Sequence, residues 1–362
     1  MTSITKQALR HGGDLENAIK NYGGKSHQWL DLSTGISPWN YPIPEFEPST
    51  WRTLPAPDKQ LLTAASAYYQ CQASEIALTP GSQLAIRLIP QLLKTTQTVA
   101  VPLVGYQEHA SSWKLAGHRV LRYQSLAELE KMIANNQVSN AVVINPNNPT
   151  SEQIPTVSLR LLSTSLSGLL IVDQAFADLR LNHSDHDALP LLHRNANVVA
   201  LKSIGKFFGL AGARIGFAIG RHPIVAELQT LLSPWSVAGP SMQLATMALN
   251  DTQWQRSQIK RIKHHAERQR LALSTIKQGM PNCVLHDQSL FFSIFDENDL
   301  IVNLHHHLAE QKIWARLGDK FKDQHNQQRN WLRLSLAGDQ LERLSTSLTS
   351  FSITQHNQTT LL

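Results

Sequence analysis

Between about residues 58 and 240, short apolar runs alternate with amphipathic helical segments. The apolar runs are Thr98–Val101, Ala141–Ile144, Leu169–Val172, Val198–Leu201 and Ile215–Ile219. Between them lie helical patterns such as Ser82–Lys94 and Leu126–Ala134. Because the apolar runs are continuous rather than alternating, the strands that they predict should be covered on both faces. The pattern therefore predicts an α/β fold with a mostly parallel central sheet flanked by helices.

The pattern changes after the stretch from Ser233 to Pro240. Long helices are predicted over about Met242–Gln278, followed by strands near Leu290–Phe295 and Trp331–Leu336. Residues 1–57 are rich in Gly, Pro and Trp and show no sustained period. We therefore expect an N-terminal arm and small-domain segment over residues 1–40, a large domain over 41–240, and a helical connector with a small α+β C-terminal domain over 241–362.

The composition is that of an ordinary globular protein, with 42% hydrophobic and 17% charged residues among 362. No stretch approaches the roughly 18 apolar residues that a membrane helix needs. The first eleven residues lack the apolar core of a signal peptide. These features predict a cytoplasmic protein without a membrane partner.

Basic residues exceed acidic ones by 33 − 27 = 6, but they are scattered apart from a cluster around Lys260-Arg261-Ile-Lys263. The sequence therefore does not favour a nucleic-acid partner, and the positive charge suits small anionic molecules instead. The run His305-His306-His307 lies in a predicted amphipathic helix with no acidic or Cys partner at ligand spacing. We expect surface histidines there and no metal site.

Lys206 follows the apolar run that ends at Leu201, with Ser203 three residues before it and Arg214 eight residues after it. An amine at a strand end can form a Schiff base, and a hydroxyl with a guanidinium can hold a phosphate. Pyridoxal 5′-phosphate needs both. The alternative for an isolated lysine at a strand end is a solvated terminus, and Lys202 is a second candidate for the amine.

Asp173 follows the run Leu169–Val172, at the end of a strand where open α/β sheets bind ligands. Its carboxylate could pair with a protonated pyridine nitrogen, and a helix N-cap is the alternative. Asn148, in Asn145-Pro-Asn-Asn-Pro-Thr150, could donate to the phenolate oxygen of the same ring. The alternative is a turn with no other role.

Gly81-Ser82-Gln83 opens a predicted helix, and amides at a helix start beside a hydroxyl can cradle a phosphate. An ordinary N-cap at Ser82 is the alternative. Tyr106 could stack on the cofactor ring, although an isolated aromatic residue is more often part of the core.

The joint order of these motifs, ending with Arg333 in Leu332-Arg-Leu-Ser335, resembles the fold-type I pyridoxal-phosphate enzymes of the aminotransferase class I/II superfamily. The resemblance runs from about residue 30 to the C-terminus and implies an aminotransferase-like fold type I and a homodimer. It implies that Lys206 rather than Lys202 is the Schiff-base lysine, and that Arg333 binds a substrate α-carboxylate. The implied cofactor contacts are Asp173 with the pyridine, Asn148 with O3′, Tyr106 with the ring, and Gly81, Ser82, Gln83, Ser203 and Arg214 with the phosphate.

The N-terminal segments His11-Gly-Gly-Asp-Leu-Glu and Trp29-Leu-Asp-Leu-Ser-Thr-Gly35 resemble the opening of the L-threonine-O-3-phosphate decarboxylases of cobalamin biosynthesis, relatives of histidinol-phosphate aminotransferase. His11 with the amides of Gly12 and Gly13 would suit a substrate phosphate. Arg316 matches a second arginine that these enzymes place near the substrate.

This second resemblance implies a pyridoxal-phosphate-dependent carboxy-lyase. It would convert L-threonine O-3-phosphate into 1-aminopropan-2-ol O-phosphate for the cobalamin nucleotide-loop linker. One alternative is an aminotransferase acting on histidinol phosphate or a similar phosphorylated amine. Another is a protein that binds pyridoxal phosphate without catalysis.

Two of the departures from the superfamily pattern bear on the cofactor directly. Phe176 stands where many members have a tyrosine that donates to O3′, so Asn148 would be the main donor. The Tyr-Pro-Asp-Pro turn, whose tyrosine reaches a neighbouring subunit's cofactor phosphate, appears here as Leu54-Pro-Ala-Pro57. We therefore expect weaker cofactor affinity.

Overall fold

The computed structural model describes residues 12–55, 59–179, 185–297, 299–323 and 325–360, with backbone only for 353–360. The chain forms two compact units. The small unit contains the described parts of residues 1–35, 267–287 and 291–362. The large unit contains the described parts of 36–266, together with 288–290.

The elements of the described residues are numbered here in chain order. The α-helices are α1 (Leu15–Tyr22), α2 (Pro48–Arg52), α3 (Lys59–Tyr69), α4 (Ser82–Leu88), α5 (Glu108–Leu115), α6 (Leu126–Ala134), α7 (Thr156–Ser165), α8 (Pro223–Leu232), α9 (Gly239–Asn250), α10 (Thr252–Ser274), α11 (Leu300–Glu310) and α12 (Leu341–Thr360). The strands are β1 (Leu30–Asp31), β2 (Ile76–Thr79), β3 (Thr98–Pro102), β4 (Arg119–Tyr123), β5 (Asn140–Ile144), β6 (Leu170–Asp173), β7 (Val198–Ser203), β8 (Gly216–Ile219), β9 (Val284–Asp287), β10 (Phe291–Asp296), β11 (Ile313–Trp314), β12 (Arg316–Leu317), β13 (Phe321–Lys322) and β14 (Gln328–Ser335).

The large unit is built on a seven-stranded sheet in the order β2-β8-β7-β6-β5-β3-β4. β8 runs antiparallel to both of its neighbours, and the other adjacent pairs are parallel. Central strand residues such as Val142, Ile171 and Val199 are buried with residues of the flanking helices in one apolar core. The predicted α/β architecture with a mostly parallel sheet is confirmed.

Two predicted helices are interrupted in the structure. The predicted helix Ser82–Lys94 ends as α4 at Leu88 and continues as a 3-10 turn over Ile89–Leu92. Pro90 lacks the N–H that a continuing α-helix would use. The long pattern Met242–Gln278 is divided at Asp251, whose carboxylate caps α10 by accepting a hydrogen bond from the Trp254 amide at 2.9 Å.

The small unit contains an antiparallel sheet in the order β12-β14-β10-β9, with β13 also paired to β14, and a parallel pair of β1 with β11. Helix α11 packs against β10, β14 and α12. The expectation of surface histidines on α11 is wrong for His305, which is buried and packs against the Trp314 ring with 4.8 Å between centroids.

The two units divide at Gly35/Ile36 and at Ala266/Glu267. The limits expected from the sequence lie after residues 40 and 240. The second boundary lies within α10, which continues across it as one helix. The helical pattern of the sequence therefore does not change there. No helix among the described residues is long and apolar enough to cross a membrane.

Candidate active site

The turns that follow β5, β6 and β7 begin at one edge of the large unit's sheet. In register, Ile144 lies opposite Asp173, and Asp173 lies opposite Leu201. The Asn145 amide donates to the Asp173 carbonyl at 2.8 Å, which carries the pairing past the last residue of β5. The segments that contain Asn148, Asp173 and Lys206 therefore start from neighbouring points of the sheet.

Asp173 is held by a buried histidine. His109 Nε2 lies 2.9 Å from Asp173 Oδ2, and both side chains are buried. The other carboxylate oxygen accepts from the Ala175 amide at 3.1 Å in a tight turn. No helix begins at Asp173, so the N-cap alternative is wrong. The carboxylate is fixed in place by the protein on both oxygens.

Tyr106 belongs to the same network. Its hydroxyl donates to Gln83 Oε1 at 2.6 Å, and its ring lies edge-on to His109 with 6.4 Å between centroids. Burial, followed by the charges of Glu108 and Asp173, raises the pKa of Tyr106, so its hydroxyl stays protonated. Two hydrogen bonds and the ring contact between Tyr106 and His109 thus join α4 to the end of β6.

The asparagines of the turn after β5 have different environments. Asn145 is buried, and its amide group donates to Ile154 O and His186 O. Asn147 is also buried and donates to Val104 O at 2.9 Å, which ties this turn to the segment carrying Tyr106. Asn148 is half-buried. The first two side chains hold the turn, and Asn148 is the more accessible amide.

Lys206 is half-buried, and its ammonium lies 5.4 Å from the ring centroid of Phe176. Its carbonyl oxygen accepts from the amides of Ser37 at 3.0 Å and Gly209 at 3.3 Å, so the backbone at this position is well fixed. Phe176 belongs to the turn that begins with Asp173. The lysine therefore points toward that turn.

Lys202 has a different environment from Lys206. It is 2% exposed, its ammonium lies 3.7 Å from Asp187 Oδ1, and it lines a cavity of about 300 Å³ with Asp178 and Tyr69. Burial raises the pKa of Asp178 to about 7, against the lowering effect of the Lys202 charge. Because Lys202 and Ser203 are consecutive in β7, their side chains point to opposite faces of the sheet. Lys202 is thus part of a buried ionic cluster.

The predicted phosphate-binding residues meet around Gly216. This glycine pairs with Thr79 on one side and with Ser203 on the other. A Cβ on Gly216 would collide with the Ser82 amide nitrogen, so only glycine allows the turn before α4 to approach. Ser82 is the first residue of α4 after Gly81, so the ordinary N-cap alternative for Ser82 is wrong.

Arg214 faces this turn. A Cβ on Gly81 would lie 2.5 Å from Arg214 Nη2, which shows how closely the guanidinium approaches the glycine. Arg214 has a left-handed backbone with φ of 52°, unusual for a residue with a side chain. A guanidinium, a hydroxyl and the start of a helix thus lie together, as an anion site requires.

In the small unit, Arg316 and Arg333 lie directly opposite each other in the β12–β14 pair. Arg316 also lies over the Trp331 ring, at 5.9 Å from its centroid. Arg333 is buried, donates to the Ser33 carbonyl, and lies 6.0 Å from the Phe291 ring centroid. Cross-strand partners share one face of a sheet, so the two cationic side chains are neighbours.

The predicted arm residues are only partly described. His11 lies outside the described residues. Gly12 lies against the Ser33 carbonyl, and the Gly13 amide donates to Ser33 Oγ at 2.7 Å. In this structure the Gly13 amide is therefore used within the protein. Of the Leu54–Pro57 turn, Leu54 is exposed and residues 56–58 lie outside the described residues.

A family model for aminotransferase class I and II matches residues 46–349 of the chain. The chain belongs to this aminotransferase family. A threonine-phosphate decarboxylase from Pseudomonas aeruginosa is 36% identical over 353 residues, which cover 96% of this chain and 99% of the relative.

Two solved structures show the fold of this aminotransferase family member. Histidinol-phosphate aminotransferase from Sinorhizobium meliloti, in complex with pyridoxal 5′-phosphate, has a TM-score of 0.77 at 18% identity and covers 98% of each chain. L-threonine-O-3-phosphate decarboxylase from Porphyromonas gingivalis has a TM-score of 0.70 at 17% identity, covering 88% of this chain and 98% of that one. The chain has the aminotransferase fold type I.

One candidate site residue of this family member, His109, was not predicted from the sequence. It is a buried residue in the first turn of α5, three residues after Tyr106, and nothing near it in the sequence points to Asp173. The available signal was its spacing of one helical turn from an aromatic residue already singled out. That spacing alone does not separate a site residue from a core histidine.

Proposed function

We propose that the protein decarboxylates L-threonine O-3-phosphate to 1-aminopropan-2-ol O-phosphate, using pyridoxal 5′-phosphate. The observation that carries the proposal is the pair Arg316 and Arg333, opposite each other on adjacent strands. Guanidinium groups bind carboxylates and phosphates through charge-assisted hydrogen bonds. Two of them side by side suit a substrate that carries both a carboxylate and a phosphate.

The similarity to the Pseudomonas aeruginosa threonine-phosphate decarboxylase supports this choice of substrate, because it extends over nearly the whole of both chains. We assign the substrate α-carboxylate to Arg333 and the substrate phosphate to Arg316 and His11. Gly12 and Gly13 belong to the N-terminal arm that carries His11. The cobalamin nucleotide-loop linker is the proposed destination of the product.

The residues of the large unit fit pyridoxal phosphate. A buried carboxylate held by His109 suits the pyridine nitrogen, and Gly81 and Gly216 leave room where a Cβ would collide with Arg214 or Ser82. We propose that Asp173 accepts the pyridine N–H and Asn148 donates to O3′. The residues proposed to hold the phosphate are Gly81, Ser82, Gln83, Ser203 and Arg214, and Tyr106 would stack on the ring.

Pyridoxal phosphate, when bound, supplies a sink for the electron pair left at Cα when CO₂ departs. Lys206 would hold the cofactor covalently through Nζ and then carry the proton that is returned to Cα. Asp173, fixed by His109 and by the Ala175 amide, would keep a positive charge on the ring nitrogen. Arg333 would orient the carboxylate, and this orientation selects the bond that breaks.

Incubation of the purified holoenzyme with O-phospho-L-threonine tests the proposal. We expect release of one CO₂ for each 1-aminopropan-2-ol O-phosphate formed, measured by trapping CO₂ and by mass spectrometry of the amine. The aminotransferase alternative predicts glutamate formation from 2-oxoglutarate with histidinol phosphate and no CO₂. That second result would contradict the decarboxylase proposal.

We also propose that the protein works in the cytoplasm as a homodimer. Large apolar side chains of the large unit are exposed, including Trp51 and Leu54 at 68% each and Trp235 at 60%. Where exposed apolar side chains form a contiguous patch, they mark a contact surface, and we propose that these residues contribute to one between subunits. Light scattering on the purified protein should give twice the chain mass of 40.4 kDa, and cell fractionation tests the location.

A further inference from the structure

Ser33 links two segments of the small unit that are distant in sequence. Its carbonyl oxygen accepts a hydrogen bond from Arg333 Nη2, while its hydroxyl oxygen accepts from the Gly13 amide at 2.7 Å. The same hydroxyl donates to Asp31 Oδ1 at 2.6 Å. Ser33 is 1% exposed. A single buried residue thus contacts both the N-terminal glycines and the buried arginine.

Gly12 completes this contact. A Cβ at Gly12 would collide with the Ser33 carbonyl oxygen and would lie 3.3 Å from Arg333 Nη2. The chain can therefore reach Arg333 at this point only because residue 12 is glycine. Gly12 therefore acts by allowing close packing, and the Gly13 N–H holds the arm against Ser33 by its hydrogen bond.

We propose that Ser33 is a positioning residue that orients Arg333 for a substrate carboxylate and holds the Gly12–Gly13 segment beside it. The inference rests on the proposed function, since it takes Arg333 as the carboxylate ligand. Asp31 keeps Ser33 in place by accepting from both its amide, at 2.8 Å, and its hydroxyl. No substrate atom needs to touch Ser33.

The physical reason is pre-organisation. A long arginine side chain loses rotational freedom when it binds an anion, and this loss weakens binding. The Ser33 carbonyl fixes one nitrogen of the guanidinium before a ligand arrives, so less freedom is lost on binding. Removal of the Ser33 hydroxyl would take away the acceptor of the Gly13 N–H, so the arm would lose its hydrogen bond to Ser33 and the Ser33 carbonyl would shift with it.

The test compares two anions that carry no amine, so binding is measured without any reaction. 3-Phosphoglycerate has a phosphate and a carboxylate, and glycerol 3-phosphate has an alcohol in place of the carboxylate. Isothermal titration of each into the holoenzyme gives its Kd. For Ser33→Ala we expect the Kd of 3-phosphoglycerate to rise by about tenfold. The Kd of glycerol 3-phosphate should rise less, by no more than about threefold, because Arg316 would still hold its phosphate when the arm shifts.

Two further variants separate positioning from general stability. Gly12→Ala, which places a methyl group against the Ser33 carbonyl, should show the same selective loss even if Ser33→Ala folds poorly. Ser352→Ala is the matched control, because Ser352 is another buried serine of the small unit, and its hydroxyl donates to Thr275 O and Leu348 O. It should lower the melting temperature without changing the preference between the two anions.

An equal loss of affinity for both anions, or no loss in Ser33→Ala and Gly12→Ala, would overturn the inference. So would a wild-type protein that binds neither anion, even if it released CO₂ from O-phospho-L-threonine. Conversely, selective loss of 3-phosphoglycerate binding in a protein that releases no CO₂ would support the role of Ser33 and reject the proposed function.

Discussion

The candidate residues of the large unit and those of the small unit are brought together in different ways. In the large unit, Asp173 is the last residue of β6 and Lys206 lies three residues after the end of β7, the parallel strand beside it. In the small unit, Arg316 and Arg333 become neighbours only through the antiparallel register of β12 and β14. Residues at parallel-strand ends share an edge because of topology alone, whereas cross-strand neighbours depend on a register that a one-residue slip would change.

The largest expected effect concerns the choice between the two lysines of the large unit. Lys206→Ala should lower decarboxylase activity by at least about a thousandfold, because the amine proposed to hold the cofactor and move the proton is lost. The absorbance of the bound cofactor should also change to that of the free aldehyde. Lys202→Arg is the control and should keep both signals. Loss of the cofactor signal in the Lys202 variant alone would reverse the assignment.

Substitution of Arg316 or Arg333 tests whether these residues of the small unit bind the substrate. Arg333→Gln and Arg316→Gln should each raise the KM for O-phospho-L-threonine by about 10-fold to 100-fold, since each removes a charge-assisted contact. Arg329→Gln is the matched control on the same strand, where Arg329 pairs with Asp323 at 3.0 Å and Glu297 at 2.9 Å. If Arg329→Gln raised the KM as much as the other two variants, the effect would come from the loss of positive charge on the small unit and not from direct contacts with the substrate.

Substitution of His109 tests how far this residue supports Asp173 in the large unit, and the expected effect is smaller. His109→Phe removes the partner of a buried Asp173 oxygen, so kcat should fall by about tenfold and the cofactor should dissociate more easily. His109→Gln keeps a donor and should lose less. The control is His118→Gln, because His118 is a buried histidine that bonds to Pro90 O and Gln97 N instead. Equal effects at both histidines would assign His109 to stability alone.

The smallest effect on catalysis is expected at Asp178, in the buried ionic cluster with Lys202. The pKa of Asp178 in the folded chain is raised to about 7 by burial, with Lys202 opposing and Asp187 adding to the shift. A raised carboxyl pKa means that stability is lost as the pH rises from the unfolded value of about 3.9 towards 7. The Asp178→Asn variant should therefore gain stability relative to wild type over this range, by up to about 4 kcal/mol.

Chemical denaturation at pH 4, 5, 6, 7 and 8 measures this difference. The unfolding free energy of Asp178→Asn minus that of the wild type should increase up to about pH 7 and then stay level. A difference that is flat from pH 4 to 8 would show that Asp178 ionises in the folded chain as it does in water.

Much of the large unit could be predicted because its signals are local. The runs that became β3, β5, β6 and β7 were located within one or two residues, since strands covered on both faces need continuous apolar residues. His109 was missed because its contact with Asp173 joins residues 64 positions apart, which no local pattern records. The end of α4 was also missed, although Pro90 marked it.

The small unit was harder to predict from the sequence, because its segments come from three parts of the chain. The arm, the end of α10 and the C-terminal strands form one unit, but α10 crosses its boundary without a change of pattern. The proposed roles of Arg316, Arg333 and Gly12 came from resemblance, because no spacing rule relates residues 12, 33 and 333. Their contacts follow from strand pairing and close packing.

The sequence by itself determined the alternation of strands and helices, the order of the motifs at the strand ends and the excess of positive charge. These properties depend on residues close in the chain, where periodicity and turn chemistry act. Only the tertiary structure decided that Lys202 lies in a buried ionic cluster while Lys206 lies over Phe176. It also decided that Ser33 joins Gly13 to Arg333, because such contacts depend on how distant segments pack.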